Sequence, residues 1–333
     1  MTIHDVAPGQ DVPAAGTGAG IDRDRAKLME IVGQLRSARR RTFRFLLAGR
    51  TGVGKSSLVN SLMGQPVAPV SDYEPTTAQV EIYESQVDGI SYAVADTPGL
   101  CDDLPEAGND QRYLELIRER VPEVDCMWFV TRLDDSRVSS DEKRGIALIT
   151  QAFGPKVWTR AVLVFTFAGN VHPERYAEAL QRRAELIRGE VAQHAGEKSA
   201  ATIPAVAADN QADTTPDGHP WLGELYTTVF ERISRSGALP FLLATASRIE
   251  TGDTGPAPSV GAGDAPGPGT RGGAPRITLD ENQRMRISRR IDAEIIPAMA
   301  ALGITAGALF GPLGAAVGGV LGTAAGLLAW LKK

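Results

Sequence analysis

The chain has 333 residues, of which 43% are hydrophobic and 23% are charged, so a globular core with extensions is expected. A formal net charge of −5 argues against a protein that binds nucleic acid through its phosphate backbone. Two cysteines are too few for a disulfide framework or a cysteine-rich metal site, and the four histidines form no ligand pattern.

Two short segments precede the main domain. Residues 1–20 are rich in Ala, Gly, Pro and Asp, which predicts a disordered tail and argues against a secretory signal with its apolar centre. In residues 21–41, apolar side chains between Leu28 and Leu35 recur at helical spacing. We expect this helix to pack on the domain that follows, and a partner-binding helix is the alternative.

A phosphate-binding loop follows the first predicted strand, residues 42–48. The run Gly49-Arg50-Thr51-Gly52-Val53-Gly54-Lys55-Ser56-Ser57 fits G-x-x-x-x-G-K-[ST], and a helical pattern begins at Ser57. The glycines permit a tight turn whose N–H groups face phosphate oxygens, and the helix presents its positive end to the same anion. Lys55 is predicted to reach the β- and γ-phosphates, and Ser56 to ligate Mg²⁺. The alternative is a glycine-rich turn that binds nothing. We assign the remaining nucleotide contacts of this loop to Gly49, Thr51, Gly52, Val53, Gly54 and Ser57.

The next elements form a loop and a hairpin. Residues 64–77 are polar and proline-rich, which predicts a loop that ends in Pro75-Thr76-Thr77. Residues 78–84 and 89–95 alternate as an antiparallel pair of strands, and the second strand runs into Asp96-Thr97-Pro98-Gly99.

Pro75-Thr76-Thr77 and Asp96-Thr97-Pro98-Gly99 follow the phosphate-binding loop in the order that is typical of the nucleotide-sensing loops of a GTPase. Together with the phosphate-binding loop they resemble the G1, G2 and G3 set of a GTPase of the translation-factor class. Thr77 is predicted to close on Mg²⁺, with Thr76 as the second choice. Asp96 is predicted to hold a Mg²⁺-bound water, and the Gly99 N–H to sense the γ-phosphate.

Strand and helix patterns alternate through the rest of the domain. This alternation predicts an α/β fold, a three-layer GTPase domain with a mostly parallel sheet over residues 42–236, and a helical extension over 237–250. The predicted strands lie within 125–131, 157–167 and 202–208, and the predicted helices cover 110–120, 140–153, 173–193 and 221–233.

The C-terminal part changes in composition twice. Residues 251–276 are dominated by Gly and Pro, which predicts a flexible linker, and residues 277–294 predict a basic helix. Residues 295–333 carry charge only at the final two lysines. Two sets of glycines are spaced by four, as in a glycine zipper: one runs from Gly303 to Gly311 and the other from Gly314 to Gly326, and Gly311-Pro312 divides the segment into two pieces. We expect 295–331 to form a membrane hairpin that leaves the main domain in the cytoplasm, because the linker suits a tether. A soluble Gly/Ala-rich hairpin packed on the domain is the alternative.

Several runs in residues 40–235 resemble one group of GTPases. The group is the septin-related (paraseptin) family of the chloroplast import receptors, the Toc34/Toc159 group, and the AIG1 proteins. The resemblance is carried by Arg132-Leu133-Asp134-Asp135-Ser136-Arg137-Val138, Ile149-Thr150-Gln151-Ala152-Phe153-Gly154, Val157-Trp158, Phe165-Thr166-Phe167-Ala168 and Pro216-Asp217-Gly218-His219-Pro220-Trp221-Leu222. It implies a guanine nucleotide as ligand.

The base-reading motif departs from the usual N/T-K-x-D. Thr166-Phe167-Ala168-Gly169-Asn170 lacks the aspartate that accepts from guanine, as the related receptors also do. Those receptors use an acidic residue and an asparagine after the last strand, where this chain has Asp209-Asn210. The resemblance therefore implies guanine contacts from Thr166, Asp209 and Asn210, and a loosened preference that admits ATP is the alternative.

The resemblance also implies a homodimer across the nucleotide face. Arg137 occupies the position of the receptor arginine that reaches the partner's nucleotide, where it would act in catalysis or only in dimer contact. No glutamine follows Asp96-Thr97-Pro98-Gly99 to position a water, so slow hydrolysis is expected.

We expect a Mg²⁺-dependent GTPase that switches dimerisation at a membrane. The alternatives are a nucleotide-gated scaffold with negligible turnover and a membrane-perturbing effector that uses the C-terminal hairpin.

Overall fold

A computed structural model describes residues 41–67, 80–87, 89–97, 109–250, 275–295, 297 and 331. The predicted tail, almost all of the predicted N-terminal helix, and nearly all of the linker and the glycine-zipper segment lie outside these residues.

The centre of the molecule is a six-stranded sheet in the order β2-β3-β1-β4-β5-β6. Its strands are β1 Phe43–Ala48, β2 Glu81–Val87, β3 Ile90–Asp96, β4 Cys126–Arg132, β5 Ala161–Thr166 and β6 Ala205–Ala207. Every neighbouring pair is parallel except β2 with β3, which form the predicted antiparallel hairpin. The prediction of a mostly parallel sheet is confirmed.

The central strands are buried on both faces, which explains their continuous apolar sequence. Every residue of β5 is buried, and in β4 only the last residue is half-exposed. Alternate side chains point to two separate cores: Phe45 and Trp128 belong to one, and Leu46 and Phe129 to the other. Helices cover both cores, so the domain has the predicted three layers.

The helices alternate with the strands as the sequence predicts. They are α1 Lys55–Met63, α2 Asn109–Arg120, α3 Ser140–Phe153, α4 Pro173–Ala195, α5 Glu197–Ala201, α6 Trp221–Arg232, α7 Arg235–Thr245 and α8 Glu281–Arg290. α1 begins at Lys55, two residues before the predicted start at Ser57, so the end of the phosphate-binding motif already lies in the helix. α7 corresponds to the predicted helical extension and contains Pro240.

The segment after the linker is packed on the domain. We call residues 275–295 the strap; it contains α8 and continues as a π-helix over Ile291–Ile295. A β-bridge joins Ile277 to Ile249, and Ile287 and Ile295 are buried in the same core as α1 and α6. The helix α8 thus begins four residues after the start of the predicted basic segment, and its buried face forms part of the core.

Charged contacts hold the strap in place. Arg286 of α8 donates to Glu224 at 2.8 Å and to Glu231 at 2.6 Å, both on α6. The half-buried Arg248 donates to the carbonyl of Ser61 at 2.8 Å, to that of Leu62 near the C-terminus of α1, and to that of Pro275. Burial lowers the pKa of Arg248 to about 10, so this guanidinium remains charged near neutral pH.

Within the described residues, no helix combines the length and the apolar character needed to cross a membrane. Two residues at the limits of the predicted membrane segment, Ile295 and Leu331, are buried in the domain core.

We predict that Ile287→Ala lowers the free energy of unfolding by about 3 kcal/mol, because it leaves a cavity in a packed core. Met285→Ala is the matched control, since Met285 lies on the same helix and is 55% exposed; its effect is expected to stay within about 0.5 kcal/mol. Urea unfolding monitored by circular dichroism measures both. Equal effects of the two substitutions would show that the strap is not part of the core.

Candidate functional site

The phosphate-binding loop connects β1 to α1 and approaches two other segments closely. A Cβ on Gly49, whose φ is +151°, would lie 2.1 Å from the carbonyl oxygen of Val130 in β4. A Cβ on Gly54, whose φ is +90°, would lie 2.6 Å from the amide nitrogen of Asn210. Gly49 is thus required by backbone conformation and by space, since the contacting atom belongs to the backbone. Gly54 is required by its backbone conformation, because the end of the Asn210 side chain can move away.

The N-terminus of α1 is open to an anion. Its N-cap is Gly54, which offers no side-chain hydrogen bond to the first N–H groups of the helix. These N–H groups and the helix dipole favour a negatively charged ligand such as a phosphate. The loop therefore fits the predicted phosphate site by its backbone.

Lys55 lies at the centre of this site. Its side chain is buried, and its Nζ donates to the carbonyls of Gly49 and Arg50 at 3.0 Å each. The same Nζ lies 3.7 Å from Oδ1 of Asp96, the last residue of β3. The structure thus brings the predicted phosphate-binding lysine and the predicted metal-associated aspartate together.

Asp96 has a carboxylate oxygen without a hydrogen-bond partner among the described residues. Burial raises the pKa of Asp96, and the ammonium group of Lys55 opposes that shift. The oxygen is Oδ1, which is itself buried. A buried oxygen of this kind suits a bound cation or its water ligand, and Ser56, half-buried at the start of α1, adds a hydroxyl. The donor chemistry fits Mg²⁺.

The other switch residues are outside the described part of the chain. These are Thr77, with its neighbour Thr76, and Gly99. Their assignment to Mg²⁺ and to the γ-phosphate stays a prediction.

The predicted base-reading residues lie on two adjacent loops. Thr166 ends β5, is buried, and its Oγ1 donates to the carbonyl of Thr131 at 3.3 Å. Asp209 follows β6; its Oδ2 accepts from the N–H of Gly169 at 2.8 Å and its Oδ1 from that of Gln211 at 2.9 Å. The carboxylate therefore fixes both loops, and its predicted contact with guanine would use the remaining lone pairs.

Asn210 connects these loops to the phosphate-binding loop. Its Nδ2 donates to the carbonyl of Gly54 at 3.4 Å. Residues predicted to read the base and residues predicted to hold the phosphates are thus neighbours in the fold, although they are far apart in the sequence.

An aromatic contact that no sequence pattern indicated lies at the same place. The guanidinium of Arg132 lies 4.1 Å from the ring centroid of Phe167, whose φ of +56° is unusual for a residue other than glycine. Arg132 also donates to Asp134 at 2.7 Å and holds the pKa of that carboxyl below its ordinary value. Asn170 donates to Asp134 at 2.9 Å, so these contacts tie the end of β4 to the loop after β5.

Arg137 lies in the loop between β4 and α3, and it is exposed. A cleft of about 630 Å³ separates this loop from α4. The buried Arg183 of α4 lines the cleft and donates to the carbonyl of Arg137 at 2.6 Å. The sequence prediction missed Arg183, because one arginine among several in a long polar helix does not stand out as a functional residue.

Ser139 and Glu142 form a capping box at the N-terminus of α3. The S-x-x-E spacing of such a box is visible in the sequence and could have predicted the start of this helix.

Known proteins resemble this chain over the same region. The AIG1 family profile matches residues 43–202. The translocase of chloroplast 34 homolog of Chlamydomonas reinhardtii is 34% identical over 240 residues, which cover 64% of this chain and 60% of that protein. The translocase of chloroplast 33 of Arabidopsis thaliana is 30% identical over 221 residues, which cover 61% of this chain and 73% of that protein. A crystal structure of a dimerisation-deficient arginine-to-alanine variant of Toc33 from Arabidopsis thaliana matches with a TM-score of 0.50 at 27% identity, covering 62% of this chain and 90% of that one. The chain thus spans less than two thirds of the Chlamydomonas relative.

We predict that Asp209→Asn lowers the free energy of unfolding of the protein even when no nucleotide is bound. The amide would place an N–H against the N–H of Gly169 or of Gln211, which costs about 2 kcal/mol of unfolding free energy. Asp213→Asn, at an exposed position nearby, is the control and is expected to be neutral. Thermal and urea unfolding of the nucleotide-free variants measure the difference. If Asp209→Asn unfolds like the wild type, the carboxylate does not hold these loops.

Proposed function

Because the chain belongs to the AIG1 family of P-loop GTPases, we propose that it binds GTP and GDP with Mg²⁺ and hydrolyses GTP slowly. The observation that carries this proposal is the position of Lys55 between the carbonyls of its own loop and Oδ1 of Asp96. Among the described residues this buried oxygen has no hydrogen-bond partner. A closer placement among the septin-related GTPases rests on the sequence motifs alone.

The proposal gives each residue of the phosphate site a task. Lys55 exchanges its hydrogen bonds to the carbonyls of Gly49 and Arg50 for phosphate oxygens, and the open N-terminus of α1 binds the same group. Ser56 and Asp96, together with Thr77, hold Mg²⁺ and its water ligands. The metal, when bound, neutralises the negative charge that the phosphates carry.

Guanine recognition is assigned to Thr166, Asp209 and Asn210. Asn210 already contacts the phosphate-binding loop, so a base held by this residue would lie beside the phosphates. An aspartate accepts from both N–H groups on the guanine edge, whereas adenine offers a different pattern. Preference for GTP over ATP is therefore the expected result.

Dimerisation is proposed to occur across the nucleotide face, with Arg137 reaching the second copy. Its exposure leaves the guanidinium free to contact a partner, and an arginine at a phosphate stabilises transition-state charge. In the relative Toc33, an arginine-to-alanine variant is described as dimerisation-deficient. The second candidate function is a scaffold whose GTP-bound dimer works with negligible turnover.

Membrane attachment is proposed for residues 295–331. The absence of charge before Lys332 and the regular glycine spacing support close helix packing in a lipid environment. The burial of Ile295 and Leu331 in the domain core favours the alternative, a hairpin that packs on the domain and perturbs no membrane.

Lys55→Ala is expected to weaken GTP binding at least about 100-fold, since it removes charged hydrogen bonds worth about 3 kcal/mol. Isothermal titration with Mg²⁺-GTP, and in parallel with Mg²⁺-ATP, measures the affinity and the base preference. Lys156→Ala, an exposed lysine, is the control. Tight binding by folded Lys55→Ala protein would refute the proposed site, and equal affinity for both nucleotides would refute guanine specificity.

Flotation with liposomes tests the C-terminal segment. Because the strap is part of the core, the truncated protein should end after residue 297. The full-length chain is expected to float with the vesicles, and the truncated chain to stay at the bottom of the gradient. A full-length chain that stays at the bottom rejects membrane attachment and supports the packed hairpin.

A further inference from the structure

The guanidinium of Arg183 is buried beneath the loop that carries Arg137. Arg183 projects from α4, and only 2% of its surface is exposed. Its Nε donates to the carbonyl of Arg132 at 3.2 Å, and its Nη1 to the carbonyl of Arg137 at 2.6 Å. One side chain thus fixes the two ends of the loop from Arg132 to Arg137.

The carboxylate of Glu142 balances the charge of the Arg183 guanidinium. Nη2 donates to Thr131 Oγ1 at 2.8 Å and to Glu142 Oε1 at 2.5 Å. Thr131 and Glu142 are also hydrogen-bonded to each other. Taking a guanidinium and a carboxylate out of water is costly, so a buried pair of this kind adds little to stability compared with apolar side chains. Arg183 also donates hydrogen bonds to the loop carbonyls and so fixes the loop conformation, which an apolar side chain could not do.

Glu142 extends the same support to the residues after Arg137. Its Oε2 accepts from the N–H of Ser139 at 2.8 Å, and its own N–H donates to Ser139 Oγ at 3.1 Å. The backbone is therefore held on both sides of Arg137, while the Arg137 side chain itself is exposed.

We propose that Arg183 is a positioning residue that holds the loop from Arg132 to Arg137 in the conformation from which Arg137 contacts the nucleotide of a second copy. This inference rests on the proposed dimer. A loop that is already ordered loses less conformational freedom when it enters an interface, so the contact forms at lower protein concentration. Arg183 touches neither nucleotide nor metal and acts only through Arg137.

Arg183→Lys is the central test. An ammonium still faces Glu142 and Thr131, but it lacks the fork that reaches both carbonyls at once. We expect the melting temperature to fall by a few degrees, because the carbonyls of Arg132 and Arg137 lose a hydrogen-bond donor. The GTP affinity at low protein concentration is expected to stay near the wild-type value. The dimer is expected to weaken about tenfold. At protein concentrations well below the dissociation constant of the wild-type dimer, where few dimers form, hydrolysis is expected to slow by a similar factor. Analytical ultracentrifugation and single-turnover hydrolysis over a range of protein concentrations measure both.

Two further variants keep the test decisive. Arg188→Lys is the matched control, since Arg188 lies on the same helix and donates to the carbonyl of Ile203 instead; it is expected to dimerise normally. If Arg183→Lys fails to fold, Arg183→Met combined with Glu142→Gln removes both buried charges, and the new amide oxygen can still accept from the N–H of Ser139. This double variant is expected to show the same dimer defect.

A double-mutant cycle with Arg137→Ala separates positioning from general damage. If Arg183 acts through Arg137, Arg183→Lys causes no further loss of dimerisation or turnover in the Arg137→Ala protein. Additive losses, or normal dimerisation by Arg183→Lys beside a defective Arg137→Ala, overturn the inference alone. Normal dimerisation and turnover by Arg137→Ala overturn the proposed contact of Arg137 with the second copy, and the inference with it. Wild-type protein that stays monomeric with Mg²⁺-GTP at every concentration overturns the proposed dimer itself.

Discussion

The parallel pairing of β1 with both β3 and β4 is the constraint on which the candidate site depends. Leu47 lies opposite Asp96 on one side and opposite Trp128 on the other. Parallel strands end at the same edge of a sheet, so the loops after β1, β3 and β4 meet there. The approach of Gly49 to the carbonyl of Val130 follows from this pairing, and so does the short distance between Lys55 and Asp96.

Buried charges occur in this domain where one segment must hold another in place. Lys55 and Asp96 join the phosphate-binding loop to the end of β3. Arg183 and Glu142 join α4 to the first turn of α3. Asp125 accepts hydrogen bonds from Arg41, from the N–H of Arg44 and from Ser234. Each group lies at a junction between elements that are distant in sequence. The pairs limit how these junctions move, whereas the apolar cores supply most of the stability.

The sequence predicted features that depend on local patterns. Glycine spacing identified the phosphate-binding loop, and apolar runs identified β1, β4 and β5, because these signals lie within a few adjacent residues. Arg183 and Arg248 could not be identified in this way. Each of them donates to backbone carbonyls, which every residue has, and these carbonyls come from segments far along the chain. Asp209 was identified as a candidate, but its two bonds to backbone N–H groups became visible only in the fold.

The position of the strap on the domain revises the role expected for the linker before it, which was predicted to tether the domain to a distant segment. A linker that tethers a domain to a distant segment has one end on the domain and one end elsewhere. Here Ile249 and Ile277, which lie on either side of the predicted linker, form a β-bridge, so both flanks of the linker lie on the domain next to each other. Arg248 then connects the C-terminal flank to the C-terminal end of α1, and Arg286 connects α8 to α6. Ile295, at the end of the strap, therefore lies in the domain core, and the strap belongs to a set of contacts that includes the helix of the phosphate-binding loop.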